Sequence, residues 1–302
     1  MASPSPTVPR GDLQALEAAP SWHDFMSGWQ AGLYQDPVLC GVLAGMGLGL
    51  LGVFIVLRRA VFVTAAVSQS AALGVALAFF LQIHLGLNIP PIVSAFALAA
   101  LAGGLLAIRA ERFRLPRETL IAFAYLGASA LAVLVGDRIT QEAHDVAAIL
   151  FGTAVLVRRE DLYAVLAGGL LTGVAVLAFY RALVFSGFDP EGARVQKVPV
   201  SFIELLLWVL VALEVSVTTR ALGALPVFAF AVMPAMGALG VAHRLRSALA
   251  IAAGLGAAAG GLGYLCAFFF RFPVGASQAT VATAFFLVCV AAARIFAPRR
   301  TA

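Results

Sequence analysis

The chain has 302 residues, of which 62% are hydrophobic and 12% charged, with a mean hydropathy of +0.99. A soluble domain carries about 45–50% apolar and about 25% charged residues, so a water-soluble globule is excluded. The net charge of +5 and pI near 9.6 do not indicate a nucleic-acid surface, because the cations sit in short stretches beside hydrophobic runs, which is the pattern that orients a membrane protein.

Lipid offers no partner to a bare N–H or C=O, so membrane spans are helices or closed barrels. The runs here are continuous and rich in Ala, Leu, Val and Gly rather than alternating, and each is long enough to cross the hydrocarbon as a helix. The composition predicts an all-α polytopic transmembrane bundle of about 8–10 spans.

Residues 1–36 form an N-terminal extension. Its first nine residues are rich in Pro and Ser and lack the pattern of a cleavable signal peptide, whereas 12–34 carry Trp22, Trp29 and Tyr34 at amphipathic spacing. An interfacial helix touching membrane lipid is expected there, since Trp and Tyr favour the headgroup region.

The transmembrane body, 37–296, holds candidate spans at 37–57, 61–83, 90–108, 118–136, 161–183, 202–219, 222–242, 247–270 and 276–294. The apolar stretch 146–157 is short for a crossing and reads as re-entrant or as a tilted short span. If nine segments cross, Arg58, Arg59, Arg109, Arg112, Arg114, Arg117, Arg181, Arg194, Lys197, Arg244 and Arg246 share one side with the basic tail at 297–302. That side is the cytoplasm, with the N-terminus outside. Gly41, Gly45, Gly47 and Gly49 in the first span and Gly254, Gly256, Gly260, Gly261 and Gly263 in the eighth supply small-residue faces for close helix packing.

Within the spans, Thr64, Ser68, Gln69 and Ser70 interrupt an apolar helix. Ser and Thr satisfy themselves on the helix backbone, so Gln69 is the informative residue. Glu214 lies inside a span, where an ionisable group is a functional candidate, and a snorkelling carboxylate is the alternative. Met233 and Met236 flank Pro234 at i, i+3 as soft-ligand candidates, although such methionines are commonly core filler. Glu142, His144 and Asp145 fall in a predicted outside loop and could draw cations to an entrance. Cys40, Cys266 and Cys289 lie in hydrophobic runs without metal-ligand spacing and read as small core residues.

On the cytoplasmic side, SGFDPEGARVQKVPV contains a helix start: Asp189 caps, Pro190 suits the first helical position and Glu191 favours the positive end, while Pro199 is expected to stop the helix. No GxxxxGK[ST] phosphate loop and no nucleophile-with-base pattern occurs, so the chain carries no enzyme site of its own.

Four stretches in order, GVFIVLRRAVF with VSQSAALGVALAF, FDPEGARVQKVPV, LGALPVFAFAVMPAMGA and FPVGASQATVATAFFL, resemble the signatures of the membrane-spanning permeases of zinc/manganese/iron ABC importers. The resemblance implies the fold of the metal-ion and cobalamin importer permeases, a paired permease with its path at the dimer axis, and two cytoplasmic ATPase subunits that hold ATP and Mg. It also implies an extracytoplasmic metal-binding protein, and a divalent metal as substrate. By position it implies that Asp189, Pro190, Glu191, Ala193 and Arg194 meet the ATPase and that Pro234 lines or flanks the path. Where the family carries Asp and His toward that path, this chain has Ala65 and Gln69, and where it carries Leu-Gly after the coupling segment, this chain has Gln196-Lys197, which predicts a different turn. A changed or chelated substrate, or a regulatory homologue that does not transport, are the readings those departures leave open.

Overall fold

The computed structural model describes residues 21–107, 116–139 and 157–296. Among them are twelve helices and no strand. They are α1 (Trp22–Gln30), α2 (Gln35–Leu57), α3 (Val61–Leu85), α4 (Pro91–Ala107), α5 (Arg117–Asp137), α6 (Arg159–Ala178), α7 (Tyr180–Phe188), α8 (Pro190–Val195), α9 (Val200–Leu222), α10 (Ala224–Val241), α11 (Leu245–Phe270) and α12 (Val274–Phe296). Eight of these are long and apolar enough to cross a membrane, and α4 is a shorter apolar helix. At 17 residues α4 spans about 26 Å, close to the thickness of the hydrocarbon core.

The span predicted at 161–183 ends earlier, because α6 stops at Ala178 and α7 runs separately to Phe188. The break between α9 and α10 falls at Gly223, whose φ of 93° and ψ of 165° are open to glycine alone. Leu222 and Ala224 on either side are each 1% exposed, so this turn is buried inside the bundle rather than placed at its surface. The stretch 146–157 and the tail 297–302 lie outside the described residues, apart from Val157, which is buried.

Glycine spacing sets the tightest seam. Gly41, Gly45 and Gly49 on α2 face Gly260, Gly256 and Ala252 on α11, each four residues from the next, so the two helices run antiparallel with backbones in contact. A Cβ on Gly45, Gly256 or Gly260 would collide with the facing carbonyl. Where no hydrophobic driving force exists between helices in lipid, this close approach supplies the attraction.

α1 crosses the outer end of that pair. Ser21 and Asp24 form a capping box, and the bonds from the Ser21 N–H and hydroxyl hold the Asp24 carboxyl below the usual carboxylate range. Phe25 is buried against Tyr34 and Phe268, and Trp22 stacks on Phe269 at 5.8 Å. Of the stretch 12–34 expected to form an interfacial helix, 12–20 lie outside the described residues, and the rest holds a helix at Trp22–Gln30 that is anchored to the bundle by its aromatic face.

Candidate transport cavity and cytoplasmic coupling helix

The first two turns of α3 carry Ala65, Ser68 and Gln69 onto the wall of a cavity of about 730 Å³. The rest of the wall comes from α5, with Glu118, Ile121, Tyr125, Ser129 and Val133, and from the first turns of α10, with Leu225 and Phe228. Most of this surface is apolar. Ser68 turns its hydroxyl back to the Ala65 carbonyl at 2.9 Å, the self-satisfaction expected of a helix serine, whereas Gln69 Oε1 has no hydrogen-bond partner. Gln69 is thus the wall residue with an uncommitted oxygen, and Glu118 supplies a carboxylate.

The remaining path candidates lie elsewhere. Thr64 is fully buried and is not on the cavity wall. Pro234 is buried inside α10, where its missing N–H frees the Phe230 carbonyl; Met233 packs half-buried against the core, and Met236 is exposed. Glu214 does not reach the cavity. It is wholly buried between α2, α6 and α9, with Oε1 against Gly47, Oε2 3.1 Å from where a Cβ on Gly168 would stand, and Thr172 Oγ1 donating to Oε2 at 3.3 Å. The snorkelling alternative is excluded as well, since the carboxyl points inward into a slot that only glycines leave open.

Arg220, six residues on, pairs instead with Asp161 of α6 at 3.0 Å, and Arg159 pairs with Asp36 at the start of α2 at 3.4 Å. Glu142, His144 and Asp145 lie outside the described residues. Among the described residues no three of His, Cys, Asp and Glu gather as a metal site. The three cysteines are free, with Cys40 and Cys289 buried.

Asp189 caps α8 as the sequence suggested: its Oδ1 accepts from the Gly192 N–H at 2.8 Å, and Pro190 occupies the first turn. Ala193 is buried against the bundle, while Glu191 and Arg194 face outward. The helix ends at Val195, before Pro199. The Lys197 N–H bonds the Arg194 carbonyl at 3.0 Å and the Val198 N–H bonds the Ala193 carbonyl at 2.9 Å, a Schellman end with Lys197 at φ 61°. The turn expected to differ for want of glycine therefore keeps the left-handed conformation, with a lysine in it.

One contact had no signal in the sequence. Arg58, at the end of α2, donates from Nη2 to the Leu183 carbonyl at 3.1 Å and to Ser186 Oγ at 3.0 Å, both on α7. It shares a cleft of about 640 Å³ with Asp189, Glu191, Arg194 and Glu204.

Residues 30–293 match the ABC 3 transport family. The chain is 28% identical over 266 residues to the manganese import system permease protein ScaB of Streptococcus pneumoniae, covering 88% of this chain and 92% of that one. It is 27% identical over 268 residues to the manganese transport system membrane protein MntC of Halalkalibacterium halodurans, covering 88% of each. The solved structure of PsaBC from Streptococcus pneumoniae in complex with Fab superposes with a TM-score of 0.79 at 25% identity, over 89% of this chain and 95% of that one. A putative metal-chelate type ABC transporter in an inward-facing conformation shares the fold, with a TM-score of 0.69 at 18% identity over 90% of each chain. With its apolar helices and a match across nearly its whole length, this chain is a multi-pass protein of the bacterial inner membrane that belongs to the ABC 3 transport family.

Proposed function

We propose that the chain is the permease subunit of an ABC importer that carries a divalent metal of the manganese class, free or held in a chelate, into the cytoplasm. A separate ATPase pair, holding ATP and Mg, docks on α8 and hydrolyses the nucleotide. An extracytoplasmic binding protein delivers the cargo, and two permease chains enclose the path between them. The observation that carries this reading is the joint presence, in one family scaffold, of a cavity built on α3 at Ala65 and Gln69 and a capped, outward-facing α8 on the opposite flank of the α2–α3 turn.

The cavity chemistry bears on the form of the cargo. Manganese favours carboxylate, carbonyl and water oxygen. Glu118 offers one carboxylate, with neutral hydroxyls from Tyr125 and Ser129, while the Gln69 oxygen is buried behind the wall and the Ser68 hydroxyl is turned to the Ala65 carbonyl. Such a wall suits a cation that keeps most of its own ligands, whether waters or a small chelator, better than one stripped for transit. This favours the chelate or aqua form as a second reading within the same activity.

The test is uptake into vesicles holding the permease, its ATPase and its binding protein, with Mn²⁺ supplied free or as its citrate complex. Uptake above an ATPase-dead control is expected. Ala65→Asp combined with Gln69→His should raise the affinity for free Mn²⁺ relative to the complex. If no divalent metal in either form exceeds the control, the importer reading fails. Separately, Glu191→Arg should reduce ATPase co-purification; undiminished co-purification would remove the docking assignment.

A further inference from the structure

Arg58 stands where three parts of the molecule meet. It follows α2 directly and opens the three-residue turn into α3, while its guanidinium reaches across to α7. The two acceptors are 125 and 128 residues away in sequence, and Ser186 is itself buried, with its hydroxyl turned toward the Leu183 carbonyl at 3.4 Å. Gly187 closes against the same group, since a Cβ there would sit 3.4 Å from Nη1. Directly beyond, α7 ends at Phe188 and Asp189 caps α8, so Ser186 lies about one turn and Leu183 about two turns before the coupling helix.

On its other side Arg58 leads through Arg59, held at φ 54°, and Ala60 into Phe62, Ala65, Ser68 and Gln69 on the cavity wall. α2 is held to α11 from Gly41 to Gly49 and to Ala231 of α10 at Gly52, which leaves its terminal turn as the point where a displacement can enter. A guanidinium makes directional, charge-assisted bonds through a planar fork, and an ammonium on a flexible stem does not reproduce that geometry. Coupling between distant sites travels through such contiguous contacts when an element has two arrangements to move between.

We propose that Arg58 is the positioning residue that joins the ATPase-docking helix to the transport cavity, passing a displacement of α7 and α8 through the Arg58–Ala60 turn into the first two turns of α3. This rests on the docking of the ATPase at α8 proposed above.

The experiment uses the full chain with its ATPase in lipid vesicles. Spin labels are placed at Phe62 on α3 or at Val195 on α8, each paired with a reference label at Leu262 on α11, after the three native cysteines are replaced by alanine. All three labelled positions are exposed. In the parent protein ATP shifts both distances. In Arg58→Ala the Val195 shift persists and the Phe62 shift is lost, ATP hydrolysis stays within about twofold, and Mn²⁺ moved per ATP falls about tenfold. Arg58→Lys gives an intermediate value, and Ser186→Ala, which leaves the Leu183 bond, a loss of about two- to threefold.

An undiminished Phe62 shift in Arg58→Ala overturns the link while leaving the docking intact. An unmoved Val195 in the parent overturns the docking and the link with it. If Arg58→Ala does not assemble, parent-level coupling in both Arg58→Lys and Ser186→Ala overturns the link.

Discussion

Lys197 holds a left-handed conformation (φ 61°) that the end of α8 requires, since the Val198 N–H can reach the Ala193 carbonyl only if the chain reverses there. For a residue with a Cβ that conformation costs about 1–2 kcal/mol, and glycine avoids it. Lys197→Gly should therefore raise the thermal stability of the purified permease, by about 0.5–1 kcal/mol once the greater freedom of glycine in the unfolded chain is subtracted. A lower melting temperature would show that the lysine side chain contributes something the backbone does not reveal. Glu214 makes a different argument. Its carboxyl fills a slot formed by Gly47 and Gly168 and takes a bond from Thr172, so its shape matters to packing. Glu214→Gln keeps shape and acceptor and should be nearly neutral, whereas Glu214→Ala leaves a void and should destabilise by about 2–4 kcal/mol. Neither should change the concentration of metal at half-maximal uptake, because the residue does not line the cavity. A shift of that concentration in Glu214→Gln would return the residue to the path.

Two glycines of α11 separate packing from composition at the level of the element. Gly256 meets the Gly45 backbone, whereas a Cβ on Gly254 would find nothing within 4 Å. Gly256→Val should force α2 and α11 apart and abolish accumulation of folded protein, with an overpacking cost of at least about 3 kcal/mol. Gly254→Ala should be neutral or stabilising by up to about 1 kcal/mol through helix propensity. Equal losses in membrane yield for the two variants would refute the seam. The same helices show what was legible beforehand. The i, i+4, i+8 spacing of Gly41, Gly45 and Gly49 announced a contact face, and the Asp-Pro-Glu start of α8 announced its cap, because both are local patterns with a local cause. Gly47 sat in the same cluster but serves Glu214, a partner that no spacing within α2 could name. The Arg58 bonds were illegible for the same reason, as their acceptors belong to another element 125 residues on. At Gln69 the sequence pointed to an informative amide, and the fold put it on the cavity wall with its oxygen uncommitted.

Two ion pairs gather the starts of α2 and α6 and the end of α9 at one end of the bundle. α2 and α3 are joined by a three-residue turn at Arg58–Ala60 and run in opposite directions, and α4 returns against α3, with Ala95 packed on Gly74. α5 lines one cavity with α3, through Glu118 and Phe62, each in a first turn. α6 begins at the end of the bundle where α2 begins, since Arg159 bonds Asp36 at the start of α2, and Asp161, in the first turn of α6, holds Arg220 near the end of α9. The positive-inside rule predicts that Arg58, Arg59, Arg181, Arg194, Lys197, Arg244 and Arg246 share the cytoplasmic face. Single cysteines at Leu87, Arg138 and Arg158, in a chain without its native cysteines, should react with an impermeant maleimide added to intact cells. Cysteines at Lys197 and His243 should react only after the membrane is opened. Labelling of Lys197→Cys in intact cells would remove the assignment of α8 to the face where an ATPase can reach it.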